Sequence, residues 1–474
     1  MCGIVGIADA GGVSFSLYYA LYALQHRGQE SAGISTFDGT TLFKYRGHGL
    51  VAEVFDESIL SGLLGPVGVG HVRYPTTGEK IPENIQPFCF TFGGQRIAIT
   101  HNGNLVNTGE LRDAFEERGQ IFCSTTDTEV IGNLIVDELR KSGRMEDAVL
   151  HCMRILRGSY SVVILVEGVL YAFRDPLGIR PLCIGKTETG YVVCSESVAI
   201  DALNGTFIRD VKPGELVRLD ADGISCRQIA LCRHPAHCVF EYIYFARADS
   251  VVDGRLVYDV RRRIGQALAD ADDIRPDLVS PVPDSGIAHA IGYSEQSGIP
   301  YREGLMKNRY MGRTFIMPSQ EARENAVRIK LNPVKGHIKD KSVALVDDSI
   351  VRGTTSRRII GIVRDAGAAE VHMRIGSPPI KAPCYLGVDM PTREELIAGD
   401  RENEAVRERI GASSLRHVSI DALIKATGID APDLCLGCLT GEYPLPIGCE
   451  RCSERRVDFV SGTYQSGLST FIDR

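Results

Sequence analysis

Two adjacent acids, Asp347 and Asp348, separate an apolar run from a small polar loop in SVALVDDSIVRGTTSRR, Ser342 to Arg358. Val343 to Val346 reads as a buried strand. Ser349, Arg352, Gly353, Thr354 and Thr355 supply the loop. Ile359, Val363 and Ala366 then carry helical spacing, Gly367 is the stop, and Glu370 to Ile375 reads as the next strand. A loop of this kind at a helix start gathers backbone N–H groups and positive helix-end charge around an anion such as phosphate. It is not a P-loop, because GxxxxGK[ST] is absent. Carboxylates beside a phosphate cradle repel it unless they hold sugar hydroxyls or a magnesium ion that also touches phosphate. A second strand–turn–helix, VSPVPDSGIAHAIGY from Val279 to Tyr293, offers a further anion site at Ser285, suited to pyrophosphate.

Different chemistry is written at the N-terminus. Cys2 follows Met1 directly and precedes a strand-like GIVGIA. With Met1 removed, one residue carries a thiol and an α-amine whose ordinary pKa values, roughly 8.5 and 8, allow proton exchange. Nucleophile and general base are then the same residue. RIAITHNGNL, Arg96 to Leu105, predicts a strand ending in an Asn-Gly turn. Such a turn aims the Asn102 amide and the Gly103 N–H at one point, the two donors a tetrahedral oxyanion requires. LQHRGQESAG places Arg27 in a Gly-flanked turn, and GHVRYPTTG is strand-like up to Tyr74.

The elements that must hold these groups fit an ordinary globular chain. Its 474 residues, 44% hydrophobic and 24% charged, are enough for about two to three domains with their own cores. A net charge of -7 argues against broad nucleic-acid binding. No apolar run approaches the ~18 residues of a membrane span, and MCGIVGIADAGG lacks the basic start of a signal peptide. A cytoplasmic enzyme without membrane or nucleic-acid partners is expected. The fourteen cysteines then read as thiols, with Cys89, Cys183 and Cys194 as small buried hydrophobes. SYSVVILV and GYVVCS, between Gly/Pro turns, predict antiparallel sheets in a layered α/β first half. The polar, Pro-containing segment near Arg227 to Pro235 is the best break, giving domains 1–230 and 231–474, the latter ending in a Cys-rich segment. Phe240, Tyr242, Tyr244 and Phe245 open the second domain as packing. REELIAGDRENEAVRERIG, Arg393 to Gly411, reads as a solvated helix face.

MCGIVG, HRGQES, GHVRYPTTG, HNGNLVN and STTDTEV together resemble the class II glutamine amidotransferases, over about the first 230 residues. The resemblance implies an αββα N-terminal-nucleophile glutaminase domain. In it Cys2 attacks the glutamine amide, Asn102 and Gly103 stabilise the oxyanion, and Arg73 and Asp127 hold the α-carboxylate and α-ammonium. Arg27 supports the closed site and Thr76 completes the glutamine pocket. Pro75 departs from the small residue usual there and removes an N–H near the carboxylate. RDPLGIRPL, Arg174 to Leu182, resembles a structural segment of the same family. VDDSIVRGTT resembles the phosphoribosyl pyrophosphate (PRPP) loop of the type I phosphoribosyltransferases, which implies an α/β domain with a mainly parallel sheet. Asp347 and Asp348 then hold ribose hydroxyls or one Mg²⁺ per subunit with Ser285, and Ser349, Arg352, Gly353, Thr354 and Thr355 hold the 5′-phosphate.

The two blocks in this order resemble the amidophosphoribosyltransferase family end to end, which implies the substrates glutamine and PRPP and a homotetramer inhibited by purine nucleotides. Lys307, Arg309, Arg313, Arg323 and Arg328 read as a mobile lid over the leaving pyrophosphate. Cys238, Cys384, Cys435 and Cys438 match the [4Fe–4S] ligand positions of that family's iron–sulfur branch. A rival set, Cys435, Cys438, Cys449 and Cys452, has the spacing of a zinc knuckle. A PRPP-sensing regulator would need a DNA-binding module where this chain has a glutaminase-like block. Other class II amidotransferases need sugar-isomerase or ATP-pyrophosphatase domains, which VDDSIVRGTT fits poorly.

Overall fold

The computed structural model describes residues 1–74, 79–220, 223–308, 331–390, 392–448, 451–452, 455–460 and 465–466. The first half is built around central strands that are buried on both faces. Strands β1 (Gly3–Asp9), β2 (Ser31–Phe37), β3 (Leu42–His48) and β4 (Val67–Arg73) join β9 (Cys183–Lys186), β10 (Gly190–Cys194) and β11 (Thr206–Asp210) in the order β11-β9-β10-β1-β4-β2-β3. A second sheet holds β5 (Phe88–Phe92), β6 (Gln95–Leu105), β7 (Gly158–Val166), β8 (Val169–Arg174), β12 (Glu215–Asp220) and β13 (Gly223–Gln228). The pairs within both sheets are antiparallel. Ile4, Val69, Ala98, Val163, Leu165 and Leu219 fill the space between the sheets. Helix α1 (Ser14–Ala23) covers the outer face of the first through Leu17 and Leu21. Helices α2 (Asp127–Ser142) and α3 (Met145–Ile155) cover the second through Ile131, Ile135 and Val149. Four layers result, helix–sheet–sheet–helix, which is why β1, β4 and β7 read as apolar runs rather than alternating ones.

In the second half, β14 (Leu278–Pro281), β15 (Ser342–Asp347), β16 (Glu370–Ile375) and β17 (Ser414–His417) form a parallel sheet in sequence order. Helix α4 is Val257–Asp270, α5 is Ile287–Ser297 and α6 is Thr354–Asp365. The spans expected around the two acids, from the strand through to Ile375, are those found. Arg393–Gly411 differs from its expected form. It is a short turn, Arg393–Glu395, then a buried Leu396–Ala398 stretch and a separate helix, Asn403–Ile410. Burying Leu396 and Ile397 against the sheet breaks the helix that the charge pattern predicts. The Lys307 end of the expected lid is described, but Arg309, Arg313, Arg323 and Arg328 lie outside the described residues. Near the expected break, Ala230–Cys232 pairs with Val457–Phe459, and Gln465–Ser466 adds a strand beside β13. Among the described residues no helix is long and apolar enough to cross a membrane.

Helix α5 carries the Ser285 turn and is seated on α4 through glycines. A Cβ at Gly265 would stand 1.9 Å from His289 O, and one at Gly292 1.9 Å from Arg262 O. Gly265→Ala must therefore push the helices apart. Overpacking of this kind costs about 1–3 kcal/mol, and a lowered urea midpoint is the expected result. An unchanged midpoint would mean that the crossing is not close-packed.

Candidate active site

Cys2 sits at the mouth of β1, the strand flanked by β10 and β4 in the first sheet. It is 8% exposed. Its backbone N–H donates to Asn102 Oδ1 at 3.0 Å, and its Sγ lies 3.7 Å from Tyr74 O. That bond holds the Asn102 amide beside the thiol, while Asn102 Nδ2, fully buried, finds no acceptor among the described residues. Buried donors are nearly always paired, so this one is available to an incoming anion. Asn102 and Gly103 do not form the expected turn. β6 runs on to Leu105, with Asn102 opposite Ser161 and Gly103 opposite Tyr160 on β7, because pairing along the whole of β7 outweighs the local preference of Asn-Gly. Met1 is present ahead of Cys2. Its α-amine is buried and pushed down to about 5, chiefly by that burial, with the Arg180 and Arg27 guanidiniums adding to it.

Arg27 binds the backbone of Cys2. Its Nε donates to Cys2 O at 3.0 Å, Nη1 to Glu196 Oε1 at 2.5 Å and Nη2 to Glu241 Oε1 at 2.8 Å. All three side chains are buried, and Glu241 belongs to the second half of the chain. Arg180 reaches the same carboxylate at 3.4 Å and also donates to Leu386 O. Sequence reasoning missed Glu196, Glu241 and Arg180. Their one signal is a charge inside an apolar run, as in VFEYIYF and LGIRPL.

The glutamine-pocket candidates are only partly assembled. Arg73 pairs with Glu30 at 2.8 Å. Asp127 opens α2, accepts from Leu105 N at 3.1 Å and faces His101 Nδ1 at 3.4 Å. Burial raises its carboxyl, but His101 and the backbone donors outweigh that and hold it below the usual range. Thr76 and Pro75 lie outside the described residues.

At the C-terminal end of β15, Asp347 and Asp348 are 7% and 6% exposed. Ser285 Oγ donates to Asp348 Oδ1 at 2.5 Å, and Ser349 Oγ to Asp348 Oδ2 at 2.5 Å. Burial, and then Asp348, push the Asp347 carboxyl well up. Among the described residues neither acid has a cationic side chain within 4.0 Å. One or two carboxylates beside substrate oxygens is the usual magnesium site, so these residues fit that ion. A cavity of about 420 Å³ opens here. It is lined by Ser285, Asp347, Asp348, Ser349, Arg352, Gly353, Thr354 and Thr355, and also by Met1, Arg27, Tyr74 and Tyr244. All eight candidates from the second half therefore share one cavity with the neighbours of Cys2.

Cys238, Cys384, Cys435 and Cys438 are also brought together. Cys238 pairs in register with Cys435 on two short parallel strands, and Lys381 N and Ala382 N donate to Cys438 O. Burial pushes the Cys238 thiol up to about 11 and Cys435 to about 12, and neighbouring thiols in the set add to both. The described cysteines are free thiols. Among the described residues no three His, Cys, Asp or Glu stand as ligands of a single ion. A cubane needs four thiols converging on one place, and the mutual electrostatic influence of Cys238, Cys384, Cys435 and Cys438 places them as such neighbours. Cys452 is exposed, and Cys449 lies outside the described residues.

A family model described as a glutamine amidotransferase domain matches residues 71–202. The amidophosphoribosyltransferase of Methanothermobacter thermautotrophicus is 53% identical, over 94% of this chain and 95% of its own length. This chain belongs to the amidophosphoribosyltransferase family. The Bacillus subtilis member is 44% identical over 94% of each chain. The solved structure of glutamine PRPP amidotransferase from B. subtilis, complexed with ADP and GMP, covers 94% of this chain and 98% of its own with a TM-score of 0.88. A structure titled as the allosteric regulatory enzyme of purine biosynthesis matches with the same TM-score and 43% identity. The fold, an N-terminal-nucleophile glutaminase followed by a phosphoribosyltransferase-like parallel sheet, is thus that of amidophosphoribosyltransferases.

The buried Arg27 pair makes a pH prediction. Burial raises the Glu196 carboxyl, but His26 and Arg27 more than reverse this and hold it far below its ordinary 4.5. A depressed acid contributes stability that is fully present above 4.5 and is lost as pH falls below it. Glu196→Gln should lower the melting temperature at pH 7, and the gap to wild type should close progressively below pH 4.5. A gap that stays constant across that range would contradict the ion pair.

Proposed function

We infer that this chain is a glutamine PRPP amidotransferase, converting PRPP, glutamine and water to 5-phosphoribosylamine, glutamate and pyrophosphate as the first step of purine biosynthesis. The observation that carries this reading is the single cavity shared by the surroundings of Cys2 and the loop after Asp347 and Asp348. Residues 1–230 carry the glutaminase and 231–474 the transferase. The chain acts in the cytoplasm as a homotetramer, and purine nucleotides inhibit it, as the ADP and GMP bound to the B. subtilis enzyme support.

Once Met1 is removed, the Cys2 amine accepts the thiol proton and Sγ attacks the glutamine amide carbon. Asn102 Nδ2 and the Gly103 N–H take the oxyanion. The amine passes the proton to departing ammonia, and water then cleaves the thioester. Arg73 and Asp127 hold the glutamine carboxylate and ammonium, with Thr76 beside them. Free ammonia is mostly protonated in neutral water and cannot attack. Passage through the shared cavity delivers it as a nucleophile at high effective concentration. Asp347 and Asp348 hold the ribose hydroxyls, and Ser349 to Thr355 with the N-terminus of α6 hold the 5′-phosphate. Ser285, Asp347 and Asp348 would hold Mg²⁺, which when bound would neutralise charge on the leaving pyrophosphate. Cys238, Cys384, Cys435 and Cys438 would hold a [4Fe–4S] group, which when bound would cross-link three separate segments. The shared electrostatics of those four thiols favour it over zinc, since the zinc set needs the exposed Cys452.

Cys2→Ala should abolish glutamine-dependent pyrophosphate release while leaving ammonia-dependent release intact. Asp347→Asn should reduce both on the order of 100-fold or more, by analogy with loss of a key electrostatic contact. Loss of both activities in a folded Cys2→Ala protein would overturn the two-site reading. Iron and sulfide should be found in anaerobically purified protein, and zinc without iron would replace the cluster assignment.

A further inference from the structure

The backbone of residues 384–387, from the transferase half, runs directly behind the residues assigned to the oxyanion. Tyr385 O accepts from Asn104 Nδ2 at 2.9 Å. Leu386 O accepts from Ser159 Oγ at 2.8 Å and from Arg180 Nε at 3.0 Å. Ser159 Oγ in turn accepts from Asn104 N at 3.2 Å, and these two residues face each other across β6 and β7, one step beyond Gly103 and Tyr160. The approach is closest at Gly387. A Cβ there would stand 3.0 Å from Gly103 C, 3.2 Å from its O and 3.3 Å from its Cα, at a φ of +92°. Gly103 itself is packed tightly against its own sheet, since a Cβ added there would stand 2.0 Å from Ser159 O. The Gly103 peptide is clamped between its own sheet and a strap from the other half of the chain.

We propose that Gly387 is a positioning residue for glutamine hydrolysis, and that the strap Tyr385–Gly387 fixes the Gly103 peptide where the oxyanion forms. The inference rests on the assignment of Asn102 and Gly103 above. Oxyanion donors act only within about 2.7–3.1 Å of the developing charge, and loss of one costs about 10²–10³-fold in kcat. A methyl group at 387 forces a shift of a few tenths of an ångström at Gly103. A partial loss, on the order of 10- to 100-fold, follows. Substrate affinity resides elsewhere, at Arg73 and Asp127, so KM is spared.

The test compares wild type, Gly387→Ala, Ser159→Ala and Asn102→Ala in the full chain. It measures kcat and KM for glutamine hydrolysis, ammonia-dependent pyrophosphate release from PRPP, and melting temperature. Gly387→Ala should lose roughly 10- to 100-fold in glutaminase kcat, with KM and the ammonia-dependent rate within about threefold of wild type. Ser159→Ala, which removes the Leu386 contact, should lose less in the same pattern. Wild-type kcat in Gly387→Ala, or a loss confined to KM, overturns the proposal. If Gly387→Ala unfolds or loses both activities together, Ser159→Ala decides. A kcat-only loss there sustains the proposal, and unaltered kcat or a parallel loss of both activities overturns it. Undiminished kcat in Asn102→Ala would instead overturn the oxyanion assignment itself, whatever Gly387→Ala does.

Discussion

A guanidinium with no access to water holds the two halves of this enzyme in register. Arg27 carries the backbone of Cys2 on one nitrogen and carboxylates from residues 196 and 241 on the others. A charge removed from water is tolerable only when paired and fully hydrogen-bonded, and taking away one partner typically costs about 3–5 kcal/mol. Because one partner belongs to the transferase half, the setting of Cys2 depends on that half being docked. The glutaminase is therefore not a free-standing module attached to a second enzyme.

The acid pair at the end of β15 shows the opposite electrostatic choice. Arg27 is satisfied from within the protein, whereas Asp347 and Asp348 are left with serine hydroxyls and each other. Positive charge or hydroxyl donors brought beside them would relieve the resulting repulsion. Neutralised charge at one end of the cavity and unmet charge at the other give it a direction, with paired charge near Met1 and Arg27 and the unpaired acids near Thr355. Tyr244, 48% exposed, stands in this wall beside Phe240 and Phe245, while Tyr242 is wholly interior.

Local signals carried much of this in the sequence. The strand, acid pair, loop and helix from Ser342 to Asp365 are contiguous, and their periodicity and turn chemistry are enough to place them. The layered antiparallel first half follows from short apolar runs between turns. What stayed hidden was long-range. Glu241 reads as one acid among aromatics until Arg27 and Arg180 are seen beside it. The Asn-Gly pair reads as a turn until β7 pairs it into a strand. Leu386 and Gly387 carry no side-chain chemistry to notice, and their contacts with Ser159 and Gly103 span more than 200 residues of chain. Arg393 to Gly411 misled for the same reason, since a charge pattern does not reveal which few apolar residues another element will bury.

The end of the chain returns to its beginning. Val457–Phe459 pairs with Ala230–Cys232, and Gln465–Ser466 pairs with Ser225 and Cys226 on the free side of β13. A cut between the halves would carry those strands away and bare a row of unpaired backbone groups, the kind of edge that recruits other chains. A glutaminase half produced alone would therefore tend toward aggregation, and a split of the gene would need the tail relocated along with it.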